Sequence, residues 1–165
     1  MTHDTNIGFI GLGNVGSKLA NSILISSYKL FVYDLDYNKS AKLKSKGAII
    51  CRSIRDIMKE SSIVITCLPS PHSVSKVIED KNGIYQHINN NHLWIEMSTT
   101  DENEMIRLSE LIVSKGGNVL EAPVSGGQHR AANGNISIFA AGNKNNFYRA
   151  LPVLKEIGYE ILYCG

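Results

Sequence analysis

Short runs of apolar, often β-branched residues alternate with stretches whose apolar positions recur at helical spacing, from one end of the chain to the other. That alternation is the mark of repeated βα units around a mainly parallel sheet. It predicts strands over Ile7–Ile10, Leu30–Tyr33, Ala48–Ile50, Ile63–Cys67, Leu93–Glu96, Val119–Glu121, Ile136–Ala141 and Glu160–Tyr163. Helices are predicted over Val15–Ser26, Lys39–Lys46, Ile54–Glu60, Ser73–Ile78, Glu102–Lys115 and Asn145–Ile157, with Pro152 as a source of a kink in the last. The helix after Thr100 carries the fullest set of signals. Asp101 is placed to cap it, Glu104 to complete a capping box, and Met105, Leu108, Leu111 and Ile112 form one apolar stripe that Gly116 ends.

Composition narrows the picture. At 165 residues, the chain fits a single domain, 1–165, of a size that buries roughly 70% of its unfolded surface. With 43% hydrophobic and 19% charged residues it reads as a globular chain. No apolar run approaches the roughly 20 residues of a bilayer helix, so no membrane span is expected. The net charge of +2, from 17 basic and 15 acidic residues, is spread without a basic block, which argues against nucleic acid as a partner. Cys51, Cys67 and Cys164 are far apart and lack CxxC spacing, so buried reduced thiols are expected rather than a disulfide framework or a metal site. The first strand begins at Ile7, leaving little room for a targeting peptide, and a cytoplasmic location is the expectation.

The chemistry starts at the first strand. Gly11, Leu12, Gly13, Asn14, Val15 and Gly16 spell GLGNVG between that strand and a helical pattern. A tight turn here presents its backbone N–H groups and a helix N-terminus to a pyrophosphate, and a side chain on Gly13 would block the approach. The second strand ends at Asp34, where an acid would accept the adenosine ribose hydroxyls. Its charge would repel the 2′-phosphate of NADP, so NAD is the expected cofactor and NADP the alternative. Lys39, at the start of the next helix, reads more simply as an exposed lysine than as a phosphate ligand.

Four further segments carry a resemblance: VITCLPSPHSV at Val64–Val74, WIEMSTT at Trp94–Thr100, EAPVSGG at Glu121–Gly127 and ILYCG at Ile161–Gly165. From Ile7 to Gly165 the chain resembles the 3-hydroxyisobutyrate dehydrogenase family, also called β-hydroxyacid dehydrogenases. The resemblance implies a Rossmann-like α/β fold, a doubly wound and mostly parallel sheet like the NAD-binding domain of 6-phosphogluconate dehydrogenase. It also implies a C-terminal all-helical domain that this chain does not include. The family's catalytic lysine and a neighbouring asparagine fall beyond the position matching Gly165, so no catalytic residue can be named here. By the same resemblance Leu68, Pro69 and Ser70 pack along the cofactor, Ser98 and Thr99 lie near its nicotinamide ribose and the substrate, and Ser125, Gly126 and Gly127 hold the substrate carboxylate. The last assignment also follows from the residues, because consecutive small residues expose N–H groups as an anion nest and a serine adds a directed donor. His72 and His129 adjoin these loops and read as solvated bystanders. The chain departs from the family at Glu102, where proline is usual, and at Arg130, where a small residue is usual; Arg130 reads as a surface arginine.

The resemblance implies an NAD-dependent oxidoreductase for small 3-hydroxy carboxylic acids, oligomeric at full length, of which this fragment alone would bind cofactor as a monomer and turn over little. Reduction of a semialdehyde such as 2-hydroxy-3-oxopropionate or succinate semialdehyde with NADPH is one alternative. A non-catalytic nucleotide-sensing module is another, although such a module has no need of EAPVSGG.

Overall fold

A computed structural model describes residues 5–26 and 28–165. The chain before position 5, part of the short start on which the targeting expectation rests, lies outside the described residues. Six strands run parallel: β1 (Ile7–Ile10), β2 (Leu30–Tyr33), β3 (Ile49–Ile50), β4 (Ile63–Thr66), β5 (Leu93–Glu96) and β6 (Asn118–Glu121). They lie in the order β3-β2-β1-β4-β5-β6. The chain thus winds outward from β1 to one edge, returns, and winds from β4 to the other, which leaves a crevice at the carboxyl ends where the direction reverses.

Strand residues alternate between two cores, as the twofold repeat of a strand dictates. Ile7, Phe9, Leu30, Val32, Ile65 and Ile95 point to one face, beneath α1 (Gly16–Ile25) and α8 (Lys144–Ile157). Ile10, Phe31, Val64 and Trp94 point to the other, beneath α3 (Ile54–Glu60), α4 (Pro71–Glu79) and α6 (Glu102–Ser114). α2 (Tyr37–Lys44) follows β2, and α5 (Ile84–His87) is a single turn that the sequence pattern had not indicated. β1, β4 and β5 are buried along their whole length, as expected for a parallel sheet covered on both faces.

The local signals of α6 divide. Asp101 caps it, accepting from the Glu104 amide at 3.1 Å. The capping box does not form, because the Glu104 carboxylate turns to Arg107 at 2.8 Å and to the Ser75 hydroxyl of α4. Met105, Leu108 and Ile112 are buried, each worth about 1.5–3 kcal/mol of gross burial energy, and Leu111 packs at the margin. α8 runs through Pro152 to Ile157, although that proline leaves the carbonyl one turn earlier without its helical donor.

Beyond β6 the sheet changes direction. β7 (Val124–Ser125) and β8 (Ile136–Gly142) are antiparallel neighbours, joined by the short helix α7 (Gly127–Ala132), and β9 (Gly158–Tyr163) runs parallel to β8. Neither β7 nor α7 was expected. A two-residue strand and a helix with one buried residue, Ala131, leave no periodic trace. The thiols are all free, Cys51 buried and Cys67 half-buried, but Cys164 is exposed because it lies past the end of β9, which pairs only with β8, and this corrects the expectation of three buried thiols. Among the described residues no helix is long and apolar enough to cross a membrane.

Candidate functional site

The bend between β1 and α1 is shaped by close packing. Gly11 holds φ at +94°, and a Cβ there would run into the carbonyl of Cys67. A Cβ on Gly16 would run into the carbonyl of Gly11. Gly13 differs from both: a Cβ there would meet nothing within 4 Å. The protein's own packing explains two of the three glycines, and the third faces open space.

Leu12 turns its side chain into the core, and its amide donates to Asp34 Oδ2 at 2.7 Å. The Asp36 amide donates to Asp34 Oδ1 at 2.8 Å, and Lys39 Nζ stands 3.7 Å from the same oxygen. Asp34 is thereby held at the end of β2 with only 10% of its side chain exposed. The first turn of α1 carries no capping side chain and no acidic residue, whereas α2, α3, α4, α6 and α8 are capped by Asp36, Ser53, Ser70, Asp101 and Asn143. Within the first turn of α1 the Ser17 and Lys18 amides donate to the Gly13 and Val15 carbonyls at 3.0 and 2.8 Å, and the positive dipole end of the helix has no side chain to compensate it. These features meet in a cleft of about 1170 Å³.

Gly11, Gly13, Asn14, Val15, Gly16 and Asp34 all line this cleft. Leu68, which packs against Gly11, and Pro69 line it as well. Ser70 does not, because its hydroxyl accepts from the Ser73 amide at 3.2 Å as the cap of α4. Thr99 is exposed beyond β5 and outside the cleft wall. Ser98 is buried and accepts from the Leu68 amide at 2.7 Å, so it supports the wall from behind. Burial pushes the Cys67 thiol up to about 12, with the nearby Glu96 carboxyl adding to the effect, so this cleft residue stays a neutral thiol.

Sequence reasoning missed Arg52, Arg55, Lys76 and Lys81, which bring positive charge to the same cleft. They lie on separate loops and helices, and only the fold gathers them. His72 also lines the cleft and is exposed.

The second glycine bend follows β7. Gly126 and Gly127 hold φ at +130° and +69°, and residues 125–130 are all exposed. The stem of Arg130 lies over Gly126, where a Cβ would come within 2.7 Å of Arg130 Cδ. His129 is exposed on the same helix. Ser125, Gly126 and Gly127 are not part of the main cleft wall. They nevertheless stand at the same end of the sheet, reached through Ala122, whose amide donates to the Glu96 carbonyl at 2.7 Å. α7, which follows the second bend, packs against α1, which follows the first, and Ala131 belongs to the same core as Leu19.

The residues fit a dinucleotide on structural grounds: an open face at Gly13, an uncapped helix start and an anchored acid at the end of β2. Comparisons with known proteins agree. Rat mitochondrial 3-hydroxyisobutyrate dehydrogenase is 33% identical over 165 residues, 100% of this chain and 49% of its own length. Glyoxylate/succinic semialdehyde reductase 1 of Arabidopsis thaliana is 32% identical over 159 residues, 96% of this chain and 55% of its own. The chain thus spans about half the length of the curated relatives it matches. The structure of Mycobacterium tuberculosis 3-hydroxyisobutyrate dehydrogenase with L-serine superposes with a TM-score of 0.92 at 28% identity, covering 100% of this chain and 55% of that one. Residues 6–165 match one family model throughout, and the chain belongs to that family, the NAD binding domain of 6-phosphogluconate dehydrogenase.

Proposed function

We propose that this chain is the cofactor-holding part of an oxidoreductase that acts on small 3-hydroxy carboxylic acids with NAD. The observation that carries the reading is the pairing of an uncapped α1 with Asp34, anchored by two amides on the rim of the same cleft. The bend at residues 11–16 would grip a diphosphate with backbone N–H groups, and Asp34 would accept from ribose hydroxyls. Bound there, the nicotinamide supplies the hydride acceptor. Ser125, Gly126 and Gly127 would hold the substrate carboxylate, so that the hydroxyl-bearing carbon is positioned for transfer. L-serine, named with the Mycobacterium tuberculosis neighbour, is itself a carboxylate with a hydroxyl on its third carbon.

The proton acceptor would come from the lysine that the family places after the position of Gly165. General acid–base catalysis contributes roughly 10²–10⁴-fold, so residues 1–165 alone should bind cofactor and turn over little. Calorimetry with NAD and NADP, followed by an assay with 3-hydroxyisobutyrate, tests both halves of this reading. Tighter binding of NAD with negligible turnover is expected. Absence of dinucleotide binding would refute the cofactor role, and brisk turnover would refute the assignment of the base.

A second reading, reduction of a semialdehyde with NADPH, draws support from the Arabidopsis thaliana relative's name, from Lys39 beside Asp34 and from Arg52 in the lining of the same cleft. Those cations would face a 2′-phosphate. Tighter binding of NADP than of NAD would select it.

A further inference from the structure

Glu96 ends β5 with no exposed surface, a position where a carboxyl group is costly unless its oxygens are bonded. Both are. Oε1 accepts from the Ser98 amide at 2.6 Å, and Oε2 accepts from the Thr66 hydroxyl at 2.5 Å. Thr66 Oγ1 accepts in turn from the indole N–H of Trp94 at 2.7 Å and lies 3.5 Å from the Ile95 carbonyl. On the other side the Ser98 hydroxyl accepts from the Leu68 amide at 2.7 Å. A continuous series of hydrogen bonds therefore links Trp94, Thr66, Glu96, Ser98 and Leu68, and ends on the wall of the nucleotide cleft.

The sheet does not require this series. The ladder between β4 and β5 is complete without side chains, and a leucine at position 96 would fill similar space. A carboxyl group provides what leucine lacks, acceptors for an amide that has left the ladder at Ser98 and for the threonine beneath it. Ser98, so held, fixes the Leu68 amide. Leu68 is in turn pressed against the first bend, where a Cβ on Gly11 would come within 2.7 Å of Leu68 Cδ2.

We propose that Glu96 is a positioning residue for the nucleotide: through Ser98 it fixes Leu68 and the cleft wall, and occupancy of the cleft is transmitted back along the series to Trp94. The proposal rests on the reading of the cleft as a dinucleotide site. Neither Glu96 nor Ser98 lines the cleft, and both are buried behind its wall, so each acts on the nucleotide only through Leu68. Trp94 is the chain's single tryptophan, so its emission reports on one end of the series alone.

The test is a titration of the 165-residue chain with NAD, read by calorimetry and by Trp94 emission excited at the red edge of indole absorption. Four proteins are compared: wild type, Glu96→Gln, Glu96→Ala and Ser98→Ala, each checked for folding by circular dichroism. In wild type, binding is expected to change the emission. Glu96→Gln keeps an acceptor for Ser98 and can donate to Thr66, whose hydroxyl then turns to the Ile95 carbonyl, so it should stay within about threefold of wild type. Ser98→Ala and Glu96→Ala should each lose about tenfold in affinity, together with the emission response. Rescue by glutamine but not alanine separates positioning from simple filling of space. If Glu96→Ala does not fold, Ser98→Ala, which removes one hydroxyl, decides the matter. Wild-type affinity in folded Ser98→Ala, or silent emission in wild type, would overturn the proposal while leaving the cleft assignment intact. A wild type that binds no dinucleotide would overturn both.

Discussion

The two glycine bends of this molecule look alike in sequence and are built differently. At residues 11–16 the turn is wedged against the sheet: Gly11 and Gly16 have no room for a side chain, and Asp34 ties down the Leu12 amide. At residues 125–127 the only close neighbour of the glycines is the flexible stem of Arg130 over Gly126, and Gly127, at positive φ, has open space around it. The first bend is a finished device whose surroundings lie within this chain. The second stands exposed at the end of a two-residue strand, and an anion nest in open water is screened and competes with solvent. A carboxylate held at the second bend, as proposed, would be bound weakly unless water were excluded from it.

The contrast can be broken by substitution. Gly11→Ala combines a left-handed backbone with overlap on the Cys67 carbonyl, and a loss of about 4 kcal/mol in stability is expected from urea denaturation. A loss under about 1 kcal/mol would show that the bend is softer than its packing implies. Asp34→Asn removes the charge but keeps an acceptor; NAD affinity should fall about tenfold while NADP gains, as calorimetry with both cofactors would show. Equal losses for both cofactors would deny Asp34 its selective role. Gly127→Ala meets no neighbour and bears only the left-handed cost, about 1 kcal/mol. A penalty as large as that at Gly11 would erase the distinction between the bends.

The smallest expected effect lies behind the cleft wall, where Ser75 of α4 and Arg107 of α6 meet Glu104. Arg107 first, and then Ser75, pulls the Glu104 carboxyl from 4.5 to about 2. A carboxyl lowered on folding stabilises fully above its unfolded value, and the benefit disappears as pH falls through the folded one. Stability should therefore decline from about pH 4.5 toward pH 2, and Arg107→Ala should flatten that decline. The Arg107 side chain is about half exposed and that of Glu104 24% exposed, so the change should be modest and salt-sensitive. An acid limb identical in the variant would remove this tie from the account.

The first bend and Asp34 were legible in the sequence because strand, turn, helix and acid belong to one βαβ unit, where local rules apply. The parallel strands were legible because burial on both faces leaves continuous apolar runs. What escaped was non-local or too short to repeat. The positive charge of Arg52, Lys76 and Lys81 converges only after the sheet has formed. α7 hides in GQHRAA, which has no apolar stripe. The competition for Glu104 between its own helix end and Arg107 is settled by the packing of α4 on α6, which spacing along one helix cannot reveal. Ser70 is a helix cap and Ser98 a buried strut, a division of labour between two strand-end serines that look equivalent in sequence.

Gly13 offers the most direct test of the central claim, that backbone amides of the first bend hold a diphosphate. Nothing in the protein opposes a Cβ there, so Gly13→Ala should leave urea stability within about 0.5 kcal/mol of wild type while calorimetry shows NAD affinity lowered by tenfold or more, about 1.4 kcal/mol. A folded Gly13→Ala protein that binds NAD as tightly as wild type would contradict the account.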